Sequence, residues 1–235
     1  MSHSVTWLDH RILWLSRHWL LAFNLFVFTY VSLPFVAPAL MAGGAVGPAR
    51  VIYTMYSPLC HQLAFRSWFL FGEQPAYPRA AAGTSWESFQ SSTSIDESDF
   101  YVARAFIGNE KIGYKVAFCQ RDVAIYGGIL LGGLGYGVLR QRYKIRPLRW
   151  WWWALFGIGP IALDGFSQLL GQPPYGLLPF SRESTPFLRT LTGGLFGIMN
   201  VWLAYPYLQE SMDETKEVLA AKVARVETAN LEVRG

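Results

Sequence analysis

Cys60 and His61 stand side by side in YSPLCHQLAFRS, and about sixty residues later Cys119 opens the run CQRD, which ends on Asp122. No other cysteine occurs in the chain. Thiolate, imidazole and carboxylate are all donors that a transition metal accepts. The same two cysteines on an oxidising face would instead close a disulfide, and a pair of reduced thiols that ligate nothing is the third reading. A second set of polar residues lies further on. Asp164 and Gln168 are one helical turn apart, Arg182 and Arg189 follow them, and Arg66 and Arg121 flank the cysteines. An ionisable residue within a membrane span is costly and is usually paired, so Asp164 reads as the partner of Arg182, Arg189 or Arg121. The alternative is a general base or substrate ligand, beside arginines that hold a phosphate or anionic head group. The catalytic candidates are therefore Asp164, Gln168, Arg182 and Arg189, with Arg66 and Arg121 as anion-holding or pairing residues.

Which of these groups can meet depends on the elements that carry them. With 52% apolar, 16% aromatic and 15% charged residues among 235, the chain is too poor in charge for an ordinary soluble domain. An all-α, polytopic integral membrane bundle is expected. Crossing a bilayer takes about 20 apolar residues per helix, and four segments qualify: 19–42, 123–139, 150–170 and 190–208. Pro34 and Pro38 interrupt the far end of the first, the tryptophans at 150–153 open the third as an interfacial belt, and Gly128, Gly132 and Gly135 give the second the small-residue spacing of close helix packing. Segment 51–72 is long enough for a fifth helix but holds Cys60, His61, Gln62 and Arg66 in its middle. Arg140, Arg142, Lys144, Arg146 and Arg149 crowd one connection, which the positive-inside rule places in the cytoplasm. If 51–72 crossed, Arg11 and Arg17 would fall outside, so it reads as a re-entrant or interfacial helix on the outer side. Residues 1–18 are then a cytoplasmic segment retained in the protein, and 19–208 form the membrane domain. Residues 73–118 read as an exposed insertion with a short helix near Phe100 to Phe106. The tail 209–235 reads as a cytoplasmic amphipathic helix, with Leu219, Val223 and Val226 at helical spacing, lying on the membrane or on a partner. Nearly every unusual polar residue then converges near the outer surface.

At these residues the chain resembles a family of small bacterial integral membrane proteins, domain of unknown function 2085. The elements that carry the resemblance are Cys60-His61-Gln62, Arg66-Ser67 with Gly72, Cys119-Gln120-Arg121-Asp122 followed by Ala124-Ile125-Tyr126-Gly127-Gly128, then Asp164-Gly165 with Gln168, and Arg182, Ser184, Thr185, Thr192 and Gly193. They run from about Tyr53 to Gly197. The family's second motif is C-x-R-C, so Asp122 stands where its second cysteine is usual, and the segment between the two halves is lengthened here. The family pattern supplies three cysteines and a histidine, which suits tetrahedral zinc. Carried onto this chain, the set is Cys60, His61, Cys119 and Asp122, for zinc or another divalent transition metal. Adjacent Cys and His form an awkward chelate, because neighbouring side chains must both turn inward, so the site can use one of the two.

The family confers no activity, and whether the chain is an enzyme is left open. Three classes stand: a polar, metal-binding cluster near the extracytoplasmic surface; a structural or assembly subunit of a larger membrane complex, stapled by a Cys60–Cys119 disulfide; and a membrane-embedded enzyme acting on an anionic lipid or phosphate-bearing substrate. The expected partners are the lipid bilayer and membrane-protein subunits, with no nucleic acid. The expected location is the bacterial inner membrane.

Overall fold

The computed structural model describes residues 5–171, 176–177 and 182–234; the outer ends of the expected segments 1–18 and 209–235, residues 1–4 and 235, lie outside them. Among the described residues, four helices are long and apolar enough to cross a membrane. Helix α1 (Trp7–Ala42) starts at a capping box, in which the Thr6 hydroxyl accepts from the Asp9 amide and the Asp9 carboxylate accepts from Thr6. Both Pro34 and Pro38 lie inside it. Helix α5 (Gln120–Leu139) and helix α6 (Trp150–Leu170) are the next two. A π-helical turn at Ala154–Ile158 precedes Pro160 in α6, where the missing proline N–H breaks the regular ladder. Helix α7 (Pro186–Arg234) is the last. The outward faces carry Leu25, Phe26, Leu131, Leu134, Leu163 and Phe166, all strongly exposed, as a lipid-facing surface requires.

Glycines set how closely α5 and α7 approach. A Cβ on Gly128 would fall 2.6 Å from the Gly194 carbonyl oxygen, and one on Gly197 would strike the Ile125 carbonyl. Gly132 faces Val201. Gly135 departs from the expectation, since a Cβ there meets nothing within 4 Å.

The stretch between the first two spans corrects two expectations. Helix α2 (Val46–Tyr56) is only 11 residues, about 16 Å long, and cannot cross a hydrocarbon core of about 30 Å. The expected helix over 51–72 therefore ends at Tyr56, with Pro58 next to offer no N–H for its continuation. Beyond it come a single 3₁₀ turn at Ala64–Arg66 and strand β1 (Ser67–Leu70). The insertion over 73–118 is a folded cap, not an exposed loop. It contributes helices α3 (Phe89–Thr93) and α4 (Phe100–Ala105) and strands β2 (Gly108–Asn109) and β3 (Gly113–Cys119), and β3 pairs antiparallel with both β1 and β2. Phe65, Phe69, Tyr77, Phe89, Ala103 and Ile112 bury one another beneath it, removing enough apolar surface from water to order its polar connections. Val116, Ala117 and Phe118 of β3 pack on Ala37 of α1 and on Ile52, Tyr53 and Tyr56 of α2.

The tail continues α7 without a break from the span and turns its partly buried face toward the start of α1, where Lys222 pairs with Asp9 at 2.8 Å. The tail is helical as expected, and the element it is seen to pack on is α1 of its own chain.

Candidate metal centre and the adjoining charge network

Strand β3 hands the chain directly to α5, so Cys119 is both the last strand residue and the N-cap of a 20-residue helix. Asp122 sits in the first turn of α5, and Cys60 lies in the loop that follows α2. One ligand atom from each of Cys60, Cys119 and Asp122 lies within 4.8 Å of the others. The Cys119 thiol donates to Asp122 Oδ2 at 3.0 Å. Cys60 Sγ accepts from two backbone amides, Gln62 N at 3.4 Å and Cys119 N at 3.3 Å. Both cysteines are free thiols. The hydrogen bond shared with Cys119 is the main influence that pushes the Cys60 thiol up, with burial and the nearby Asp122 acting in the same direction. Three groups that would each carry negative charge are thus held together at a helix N-terminus. That dipole favours thiolate, and a bound cation would reverse the proton's advantage. His61 is exposed and falls outside the set, so the four-ligand expectation reduces to three among the described residues.

Gln62 holds this loop in place. Its backbone is left-handed, φ 51°, a conformation that a residue with a side chain keeps only under constraint. The constraint is visible: Nε2 donates to the Tyr53 and Ala117 carbonyls at 2.9 and 3.0 Å, and the Gln62 carbonyl accepts from Lys115 Nζ at 2.7 Å. Lys115 is 1% exposed and donates also to the Arg104 carbonyl at 2.5 Å. Burial lowers its pKa from 10.5 to about 7, with Arg104 adding to the effect and Cys60 opposing it.

Next to the thiols, two carboxylates gather five guanidinium groups. Asp164 accepts from Arg121 at 2.5 Å and Ser184 at 2.7 Å through Oδ2, and from Arg182 at 3.1 Å through Oδ1. Glu183 accepts from Arg66 at 3.0 Å, Arg79 at 3.4 Å and Gln168 at 2.6 Å, and pairs with Arg189. Arg189 also reaches Gln120 Oε1 at 3.4 Å, and Gln120 Nε2 donates to the Ser67 carbonyl. Arg66, Arg121, Asp164, Gln168, Arg182 and Arg189 therefore come together as one network tying β1, α5, α6 and α7. Both Asp164 oxygens are engaged by guanidinium groups, with the Ser184 hydroxyl also on Oδ2. Arg66 and Arg121 likewise spend charge on Glu183 and Asp164. Chemically the arrangement is a strut between helix ends.

Five participants were not singled out from the sequence as site residues: Glu183, Arg79, Gln120, Gln62 and Lys115. Lys115 had a signal, a lone charge in the otherwise uncharged run GYKVAFC. For Gln62 and Gln120 the types alone carry none, because their role is to satisfy backbone carbonyls that only the fold brings near.

Residues 104–203 match a family described as predicted membrane protein, domain of unknown function 2085. The match takes in Cys119, Asp122 and most of the charge network, and begins beyond Cys60 and Arg66. An uncharacterized protein of Methanocaldococcus jannaschii is 25% identical over 203 residues, which cover 83% of this chain and 96% of the relative. No solved structure matches the chain. The four apolar helices and the family match together point to a multi-pass membrane protein, whose residues 104–203 are similar to domain of unknown function 2085.

Proposed function

We propose that the chain holds a thiophilic divalent metal, zinc foremost, at Cys60, Cys119 and Asp122, and that this ion staples the cap to the membrane bundle. The observation that carries the reading is the convergence of two sulfurs and a carboxylate within 4.8 Å. Ligand atoms of a tetrahedral site with bonds of about 2.3 Å stand about 3.8 Å apart, so small side-chain adjustments suffice. The two amides that donate to Cys60 Sγ are the kind of outer partner that stabilises a ligating thiolate. With three protein donors, the fourth position is left to water or to a ligand from outside, and the exposed His61 stands next in sequence. The basic connection at Arg140 to Arg149 favours an orientation in the cytoplasmic membrane with the cap on the outer side.

A second reading is a reversible dithiol, favoured by the closeness of two unbonded sulfurs; the outer face would then oxidise it to a disulfide. A docking role for partner subunits draws on α7, which runs about 30 Å from Leu208 to Thr228 and so projects beyond the span.

Elemental analysis of detergent-purified protein decides between metal and dithiol. About one equivalent of metal, lost in Cys60→Ser, Cys119→Ser and Asp122→Ala, is expected. A metal-free protein whose thiols react only after reduction would replace the metal with a disulfide.

A further inference from the structure

At the end of the bundle opposite the cap, α1, α7 and the connection between α5 and α6 enclose a cleft of about 1000 Å³. Trp19, Tyr136 and Pro206 contribute its apolar lining. Some of its charges are satisfied internally. Gln209 Oε1 accepts from Trp19 Nε1 at 3.2 Å and from Arg140, while Gln209 Nε2 donates to Asp213 Oδ2 at 2.8 Å, and Asp213 pairs with Lys216 at 3.1 Å.

The remainder divide by sign and by element. Arg142, Lys144 and Arg146 come from the connection and Arg17 from α1, and Glu210, Glu214 and Glu217 come from α7. All seven are exposed, and among the described residues none forms an ion pair with another residue. A cationic wall and an anionic wall therefore share one cleft without closing on each other. The cleft also lies beside the ends of the apolar helices. Its basic segment leaves α5 at Leu139 and reaches α6 at Trp150, and on the way the Leu148 amide donates to the Trp202 carbonyl of the last span at 3.0 Å.

We propose that this cleft binds a zwitterionic head group carrying a phosphate and a primary ammonium, presented by a bilayer lipid. The phosphate would lie on Arg142, Lys144 and Arg146, whose donors match its oxygens. The ammonium would lie on the glutamates, donating N–H bonds that a trimethylated amine cannot make. A purely anionic head group would satisfy one wall and face repulsion from the other. The apolar lining of Trp19, Tyr136 and Pro206 suits the glycerol and upper acyl segments that follow the head group.

Native mass spectrometry of the full chain, released from bilayer discs of equal phosphatidylethanolamine, phosphatidylglycerol and phosphatidylcholine, tests this. The expected result is preferential retention of one phosphatidylethanolamine. Retention should fall about tenfold, the equivalent of one lost charge-assisted bond, in both Arg142→Gln/Lys144→Gln/Arg146→Gln and Glu210→Gln/Glu214→Gln/Glu217→Gln. Phosphatidylglycerol retained best, and gaining in the glutamate variant, would overturn the proposal in favour of a basic surface for anionic lipid. Equal retention of the ethanolamine and choline lipids would overturn the role of the acidic wall. Soluble O-phosphoethanolamine binding as tightly as the lipid would keep the head-group chemistry and overturn the bilayer as its source.

Discussion

Glu183 has a fully buried side chain beneath Arg66, Arg79, Gln168 and Arg189, and Arg189 is 3% exposed. Removing one partner of a buried pair leaves an uncompensated charge, at a cost of about 3–5 kcal/mol. Glu183→Gln should therefore lower the unfolding free energy of purified protein by about that amount, read from thermal or denaturant melting curves. Arg66→Gln, at a site 28% exposed, should cost about 1 kcal/mol or less; similar small losses from both would mean the network is not the strut described. Lys115 gives a pH signature. Its folded pKa lies near 7 against an ordinary 10.5, so between those values the unfolded chain binds more protons and stability rises with pH. Below pH 7 the lysine is charged in both states and the burial penalty is constant. Lys115→Met should flatten the rise between pH 7 and 10, as measured by melting curves of the two proteins side by side. At this scale the sequence was partly legible. An acid in an apolar span calls for a cation, and Asp164 has Arg121 and Arg182. It could not show that Arg189 serves Glu183, because the described fold alone decides which of several arginines meets which carboxylate.

Helices α5 and α7 meet through backbone where small residues permit it. A Cβ on Gly128 would meet the Gly194 carbonyl at 2.6 Å, whereas one on the adjacent Gly127 would meet nothing within 4 Å. Gly128→Ala should therefore destabilise the protein by about 1–3 kcal/mol through overpacking. Gly127→Ala should be neutral or slightly stabilising, since alanine also favours the helix. Equal effects in a detergent unfolding titration would contradict the contact. The spans were legible because about 20 apolar residues without charge have few alternatives in a bilayer. Of the cap only the short helix at Phe100 was legible, for a physical reason: its core residues Tyr77, Phe89, Ala103 and Ile112 are scattered among serines, glycines and acids. No local period announces them, and only the pairing of β3 with β1 and β2 brings them together. Segment 51–72 does not cross, in line with the charge rule, but its helix was expected to run too far, because Pro58 and the left-handed Gln62 interrupt the apolar run.

For the whole molecule, the cap and the bundle meet where β3 becomes α5. There Cys119 joins the sheet to a span, Cys60 brings in the loop after α2, and Asp122 faces both from the first helical turn. A metal at this junction would couple cap stability to bundle stability, so chelation should lower the melting midpoint of the intact protein and leave Cys119→Ser unaffected. Binding linkage makes that shift grow with metal concentration. X-ray absorption at the metal edge of the purified protein reads the central claim most directly. Two sulfur neighbours at about 2.3 Å with lighter atoms at about 2.0 Å are the predicted shell; a shell of nitrogen and oxygen alone, or no bound metal, would contradict it.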